Sequence, residues 1–232
     1  MASIAHMPAT AAAAPGGAGQ FETPPQAAAG RTPFDRQGMW IWYVSRSEGG
    51  SVPRIVARAR RAGIGTVYVK SADAGDVWSQ FNRPLVRALH AAGLDVCAWQ
   101  FVYGGRPLAE ARAAAVSVKR GADCFAIDAE GHYEGRYAAA DRYVRALRAR
   151  IGPDFPVSLA TFPYVDYHPS FPYSVFFGPG GATYNQPQMY WKTIGTSVRG
   201  VYEHTYRYNR IWGHPIHPIG QINRKGRNNT LV

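Results

Sequence analysis

The sequence predicts an α/β protein, a (β/α)8 TIM-like barrel that is shortened at its C-terminal end to about seven βα units. Three observations carry this. From Gly38 onward, short apolar runs rich in β-branched and aromatic residues alternate with Ala/Arg-rich stretches of helical period, long enough to serve as parallel crossovers. Polar residues end several different runs (Lys70, Gln100, Asp128 with Glu130, Tyr190 and Gln221), as expected where a barrel gathers functional side chains at one mouth. The turn after the first run, Tyr43-Val44-Ser45-Arg46, is no phosphate cradle, and no glycine-rich nucleotide motif occurs, which argues against a doubly wound nucleotide fold.

The predicted strands are Met39–Val44, Thr66–Lys70, Val96–Val102, Cys124–Glu130, Val157–Phe162, Gln188–Trp191 and Ile216–Gln221. Helices are predicted between them at Val52–Ala62, Arg83–Ala92, Pro107–Arg120, Tyr137–Ile151 and Val198–Trp212. Gly63, Gly93, Gly121 and Gly152 stand where the first four end. The stretch 163–184 shows no clear helix. Residues 1–36, with Ala11–Ala14, Pro15-Gly16-Gly17 and Pro24-Pro25, read as a disordered leader or linker. Residues 37–221 read as the barrel domain and 222–232 as a polar, basic tail, so that an eighth unit is absent from the pattern.

Composition narrows the function. With 26 Lys+Arg against 15 Asp+Glu the net charge is +11, but the arginines recur at helical spacing (Arg54, Arg58, Arg60, Arg61; Arg142, Arg145, Arg148, Arg150) and read as solvated helix faces. No nucleic-acid partner is expected. A basic surface is still compatible with an anionic polymer such as bacterial cell wall. Two cysteines, Cys97 and Cys124, are too few for a disulfide scaffold; they sit in consecutive predicted strands, where they could approach one another, and by default read as small buried thiols. The seven histidines show no helical His-x-x-x-His pair, so no metal and no cofactor are expected. The apolar runs fall well short of the roughly 20 residues that cross a bilayer, and a monomer is expected.

The run Cys124-Phe125-Ala126-Ile127-Asp128-Ala129-Glu130 carries the chemistry. Strand side chains alternate, so Ala126, Asp128 and Glu130 share one face and Phe125, Ile127 and Ala129 the other. If the apolar set meets the helices, both carboxylates point into the barrel mouth, where mutual repulsion raises one pKa and separates an acid from a base. Glycosidic cleavage uses that division. The bland alternative is a helix cap or an ion pair with Arg136. Lys70 is a candidate to tune the pair, the alternative being a lysine that snorkels to solvent. Trp99, Tyr164, Asp166, Gln188, Tyr190, Trp191 and Gln221 are candidate substrate-binding residues, because aromatic faces and amides suit sugar rings and hydroxyls.

The order Trp40-Ile41-Trp42, Val67-Tyr68-Val69-Lys70-Ser71-Ala72-Asp73, Trp99-Gln100-Phe101 and Ile127-Asp128-Ala129-Glu130 resembles the glycoside hydrolase family 25 lysozyme-like barrels, and more closely a related group of uncharacterised bacterial barrels. The resemblance implies a hydrolase of bacterial cell-wall or related polysaccharide. In it Glu130 is the general acid, and Asp128 stabilises the reacting centre or orients a substrate N-acetyl group. Family 25 carries an aspartate in its first strand, whereas Gly38-Met39-Trp40-Ile41-Trp42 has none. The alternative reading is therefore a non-catalytic glycan-binding or structural barrel. An extracellular or cell-wall location is the expectation, although residues 1–36 show no clear signal peptide.

Overall fold

The computed structural model describes residues 31–221; the rest of the predicted leader and the predicted tail 222–232 lie outside the described residues. Within the described residues, Pro33–Asp35, ahead of the expected boundary at 37, forms a 3-10 turn whose Phe34 is buried. In chain order follow β1 (Gly38–Ile41), α1 (Val52–Arg61), β2 (Thr66–Asp73), β3 (Asp76–Val77), α2 (Arg83–Ala91), β4 (Asp95–Val102) and α3 (Pro107–Lys119). Then come β5 (Cys124–Ala129), α4 (Tyr137–Ile151), β6 (Val157–Thr161), α5 (Tyr173–Phe176), β7 (Tyr184–Met189), α6 (Trp191–Ile194), α7 (Val198–Asn209) and β8 (Ile219–Gly220).

Seven strands run parallel in the order β1-β2-β4-β5-β6-β7-β8, with β3 folded back antiparallel on β2. They curl into a half-barrel that does not close: among the described residues β8 pairs with β7 but not with β1. The expected shortened barrel of about seven units is thus a curled, open sheet of seven parallel strands and not a closed barrel. A cavity of about 610 Å³ lies along the seam, lined by Phe34, Trp40, Tyr68, Gln186, His217 and Ile219.

Residue parity builds the two layers. The outward face of the sheet (Val67, Val69, Val96, Ala98, Phe125, Ile127, Val157, Leu159) joins the helices' apolar stripes in one large core. Each such large aliphatic or aromatic side chain contributes about 1.5–3 kcal/mol by burial. A second cluster of Tyr68, Cys97, Trp99, Cys124 and Ala126 with Phe34 fills the inside of the curl. Helix polarity follows the same logic: Ile55 and Ala59 of α1 are buried, while Arg54, Arg58, Arg60 and Arg61 face solvent. Arg148 departs from the solvated-face reading, since its guanidinium donates to the carbonyls of Phe155, Gly180 and Gly181 and pins two loops beside α4.

Other differences have physical reasons. The sixth predicted strand starts at Tyr184 rather than Gln188 and ends before Trp191, which opens α6. Its polar run, Asn185-Gln186-Pro187-Gln188, hid it: Gln186 is buried inside the curl, accepting from Ser158 Oγ at 2.6 Å and donating to Tyr68 Oη at 3.2 Å. Cys97 and Cys124 are register partners on β4 and β5 with Cα atoms 4.6 Å apart, and they form a disulfide instead of two thiols. Gln100 belongs to the outward face, where it bonds the Glu110 carbonyl and Tyr143 Oη, so its place at a strand end serves packing. No helix among the described residues is long and apolar enough to cross a membrane.

Candidate active site

β5 delivers Asp128 to the inner face at the C-terminal end of the curl, and Glu130 follows on the same parity just beyond the strand. Asp128 is 8% exposed; Glu130 is half-buried. One group joins them. Gln188 Nε2, near the end of β7, donates to Asp128 Oδ1 and Glu130 Oε1, at 3.0 Å in each case. Two oxygens held that close to a single nitrogen are separated by no more than twice that distance. Neither carboxylate is paired with Arg136.

Burial pushes the Asp128 carboxyl well above the usual carboxylate range, and the neighbouring Glu130 charge pushes it the same way. The Lys70 charge and the Gln188 amide oppose this without cancelling it. Tyr190, at the end of β7, has its phenol pushed up by burial and then by the charges of Asp128 and Glu130, so it lies in the same pocket of negative potential.

Such a shift costs stability. An aspartate of ordinary pKa near 3.9 in the unfolded chain and a higher one in the fold leaves stability intact at low pH and erodes it as pH rises through the folded value. Asp128→Asn keeps an acceptor for Gln188 and removes the buried charge. Its melting temperature is expected to exceed that of the parent at pH 8 by about 2–4 °C for each kcal/mol relieved. The gain should fade towards pH 4, and a difference independent of pH in thermal melts would contradict the assignment.

Lys70 ends the regular part of β2, where the register with β4 shifts between Lys70 and Ala72. It is 1% exposed and does not snorkel. Its Nζ lies 2.6 Å from Asp73 Oδ2, not on Asp128 or Glu130, and sits over the rings of Trp42, Trp78 and Trp99 at 4.1, 4.7 and 4.8 Å. Asp73 Oδ1 accepts from Tyr103 Oη at 3.1 Å. The β2–β3 hairpin that presents Asp73 turns through Ala74 with φ +47°, a left-handed conformation that a residue with a Cβ adopts at a cost. Trp42, Trp78, Asp73 and Tyr103 were not singled out as site residues by sequence reasoning. The Asp73-Ala74-Gly75-Asp76 turn is the signal that could have found the hairpin.

The remaining candidates lie elsewhere or serve other bonds. Trp99 is buried in the curl and donates from Nε1 to the Ile41 carbonyl at 3.2 Å. Tyr164 packs on His204, ring centroids 3.9 Å apart, and Asp166 bonds His204 Nε2 at 2.8 Å, a cluster joining the loop after β6 to α7. Trp191 opens α6 and packs over Gly220. Gln221 accepts from the backbone N–H groups of Lys192 and Thr193 and donates to Thr193 Oγ1, so its amide is spent holding α6. Among the described residues no cluster of His, Cys, Asp and Glu is arranged to hold a metal.

Comparison with known proteins adds fold-level support. No family model matches the chain. The chitinase domain of the spore coat protein CotE from Clostridium difficile superposes with a TM-score of 0.53 at 15% identity, over 84% of this chain and 67% of that one, and so shares the fold. The catalytic domain of an endolysin from a Listeria monocytogenes bacteriophage gives a TM-score of 0.43 at 12% identity over 57% of this chain and 68% of that one. A stretch of 51 residues is 42% identical to alpha-1,4-glucan:maltose-1-phosphate maltosyltransferase of Corynebacterium glutamicum. That stretch is 18% of this chain and spans only 8% of the curated relative. The protein is of the class of α/β, barrel-like folds that includes glycoside-hydrolase domains.

Proposed function

We propose that this protein is a glycoside hydrolase-like enzyme that cleaves a bacterial cell-wall or related polysaccharide, acting outside the cell or in the wall. The observation that carries the reading is the Asp128–Gln188–Glu130 bridge: two carboxylates at the C-terminal end of a central strand, tied by one amide. Their bonded oxygens lie closer together than the roughly 6.5–9.5 Å that an inverting pair needs for an intervening water. A retaining or substrate-assisted course therefore fits better. Glu130, the more accessible of the two, is the general acid. Asp128, buried beside it with an elevated pKa, orients the reacting group and shares the proton of the pair. The chitinase activity of a protein with the same fold is consistent with an N-acetylhexosamine polymer as substrate.

The test is release of reducing ends from purified peptidoglycan and from chitin oligomers. Gln188→Leu removes the shared donor, and kcat is expected to fall by about ten- to a hundredfold, the worth of a hydrogen bond to a charged group. Absence of turnover by the parent on both polymers overturns the enzymatic reading. It would favour the second, a non-catalytic glycan-binding barrel, which the open β1–β8 seam and the lack of an acidic residue in β1 support.

A further inference from the structure

We propose that Trp42 is a sugar-stacking platform of the mouth, with Lys70 as the positioning residue that clamps it; the inference rests on the reading that a glycan is the ligand. Trp42 follows β1 directly and is 47% exposed, an unusual place for an indole unless its face has a use. It is nevertheless held from several sides. The Lys70 ammonium lies 4.1 Å from its ring, the edge of Trp99 meets it at 5.3 Å, and Gln80 Nε2 donates to both its carbonyl and that of Lys70 at 2.8 Å. Gln80 Oε1 also accepts from Val44 N at 3.0 Å, fixing the chain on the other side. Tyr43 and Trp78 extend the aromatic wall, their ring centroids 5.4 Å apart and their planes inclined by 26°.

The lysine explains the rigidity. A cation enclosed by three indoles and a carboxylate has no room to leave, and it fixes the ring plane before any ligand arrives. Register places the platform relative to the acids. Lys70 partners Trp99 and Trp99 partners Ala126, so the inner row that starts at Trp42 crosses β2 and β4 and reaches β5 two residues before Asp128, on the same face. Three strand spacings, about 14 Å across the sheet, and two residues, about 7 Å along β5, separate Trp42 from Asp128, within the span of a short oligosaccharide. A flat, apolar, fixed surface at that distance suits the C–H face of a pyranose some residues away from the bond attacked at Glu130.

The probe is the β-1,4-linked tetramer of N-acetylglucosamine, titrated by calorimetry into Glu130→Gln protein so that no turnover intervenes. Trp42→Ala in that background is expected to weaken binding roughly tenfold, the size of a lost aromatic stacking contact. Trp42→Phe should restore most of it, and Tyr202→Ala, on the exposed face of α7, should change nothing. Lys70→Met should weaken binding severalfold and reduce the near-ultraviolet tryptophan band with the far-ultraviolet circular dichroism unchanged; unchanged affinity there removes the clamp. Tetramer binding that is indifferent to Trp42→Ala, or no binding at all, overturns the platform. Binding that needs Trp42 in a parent without turnover keeps the platform and removes the hydrolase, so the two failures are distinct.

Discussion

Replacing Glu130 by glutamine is expected to lower glycan turnover by about 10³-fold and leave the melting temperature within a degree or two of the parent. Glu130 lies beyond the end of β5, half-buried, and belongs to neither apolar cluster. The amide oxygen of glutamine still accepts from Gln188 Nε2, so no donor is stranded. What disappears is the carboxyl that passes the pair's shared proton to the leaving glycosidic oxygen, and with it the Glu130 charge that helps to raise the Asp128 carboxyl. The titration of Asp128 should therefore move down in the variant. Carbon-13 NMR of the side-chain carboxyls reads that movement whether or not a substrate has been found. Steady-state kinetics on the glycan then separates a lost acid from a lost fold, and retained turnover would sink the assignment.

What was legible in the sequence follows from how the layers are made. The outward face of each strand is apolar and the helices have a clear period, so the alternation from Gly38 to Gln221 and the inward parity of Asp128 could be read directly. The inside of the curl was less legible, because its polar residues are satisfied by partners far away in sequence. Gln186 bonds Tyr68 across 118 residues, and Gln188 reaches Asp128 across 60. A run such as Asn185-Gln186-Pro187-Gln188 looks like a loop until those partners are in place. The same holds for Gln100 and Gln221. Both stand where a functional amide is expected, yet one packs under the helices and the other caps α6. For Lys70 the sequence leaves open both a tuning of the acids and a snorkel to solvent; its partner Asp73 stands three residues on at the end of the same strand, held by a turn through a left-handed alanine that no periodicity announces.

Glu110→Leu is expected to destabilise the fold by about 3 kcal/mol, because it strands two buried donors that no water can reach. Glu110 stands in the first turn of α3, is 1% exposed, and is not part of the proposed chemistry. Its Oε2 accepts from Gly104 N at 3.1 Å and from Tyr133 Oη at 3.2 Å. Tyr133 in turn donates its backbone N–H to the Glu130 carbonyl at 2.9 Å, closing the turn that follows the acid. The ring of Tyr133 needs Gly104 beside it: with φ +70°, that position takes no side chain cheaply, and a Cβ there would come within 2.9 Å of the ring. One buried carboxylate thus ties the loop after β4 to the loop that presents Glu130. Thermal melts should show a loss on the order of 10 °C for the leucine variant, while Glu110→Gln, which keeps an acceptor, should recover most of it. Because the loss passes through Tyr133, a double-mutant cycle with Tyr133→Phe should give a coupling above about 1 kcal/mol. Additive losses would mean that Glu110 and Tyr133 stabilise the protein independently and that the Glu130 turn is held by something else.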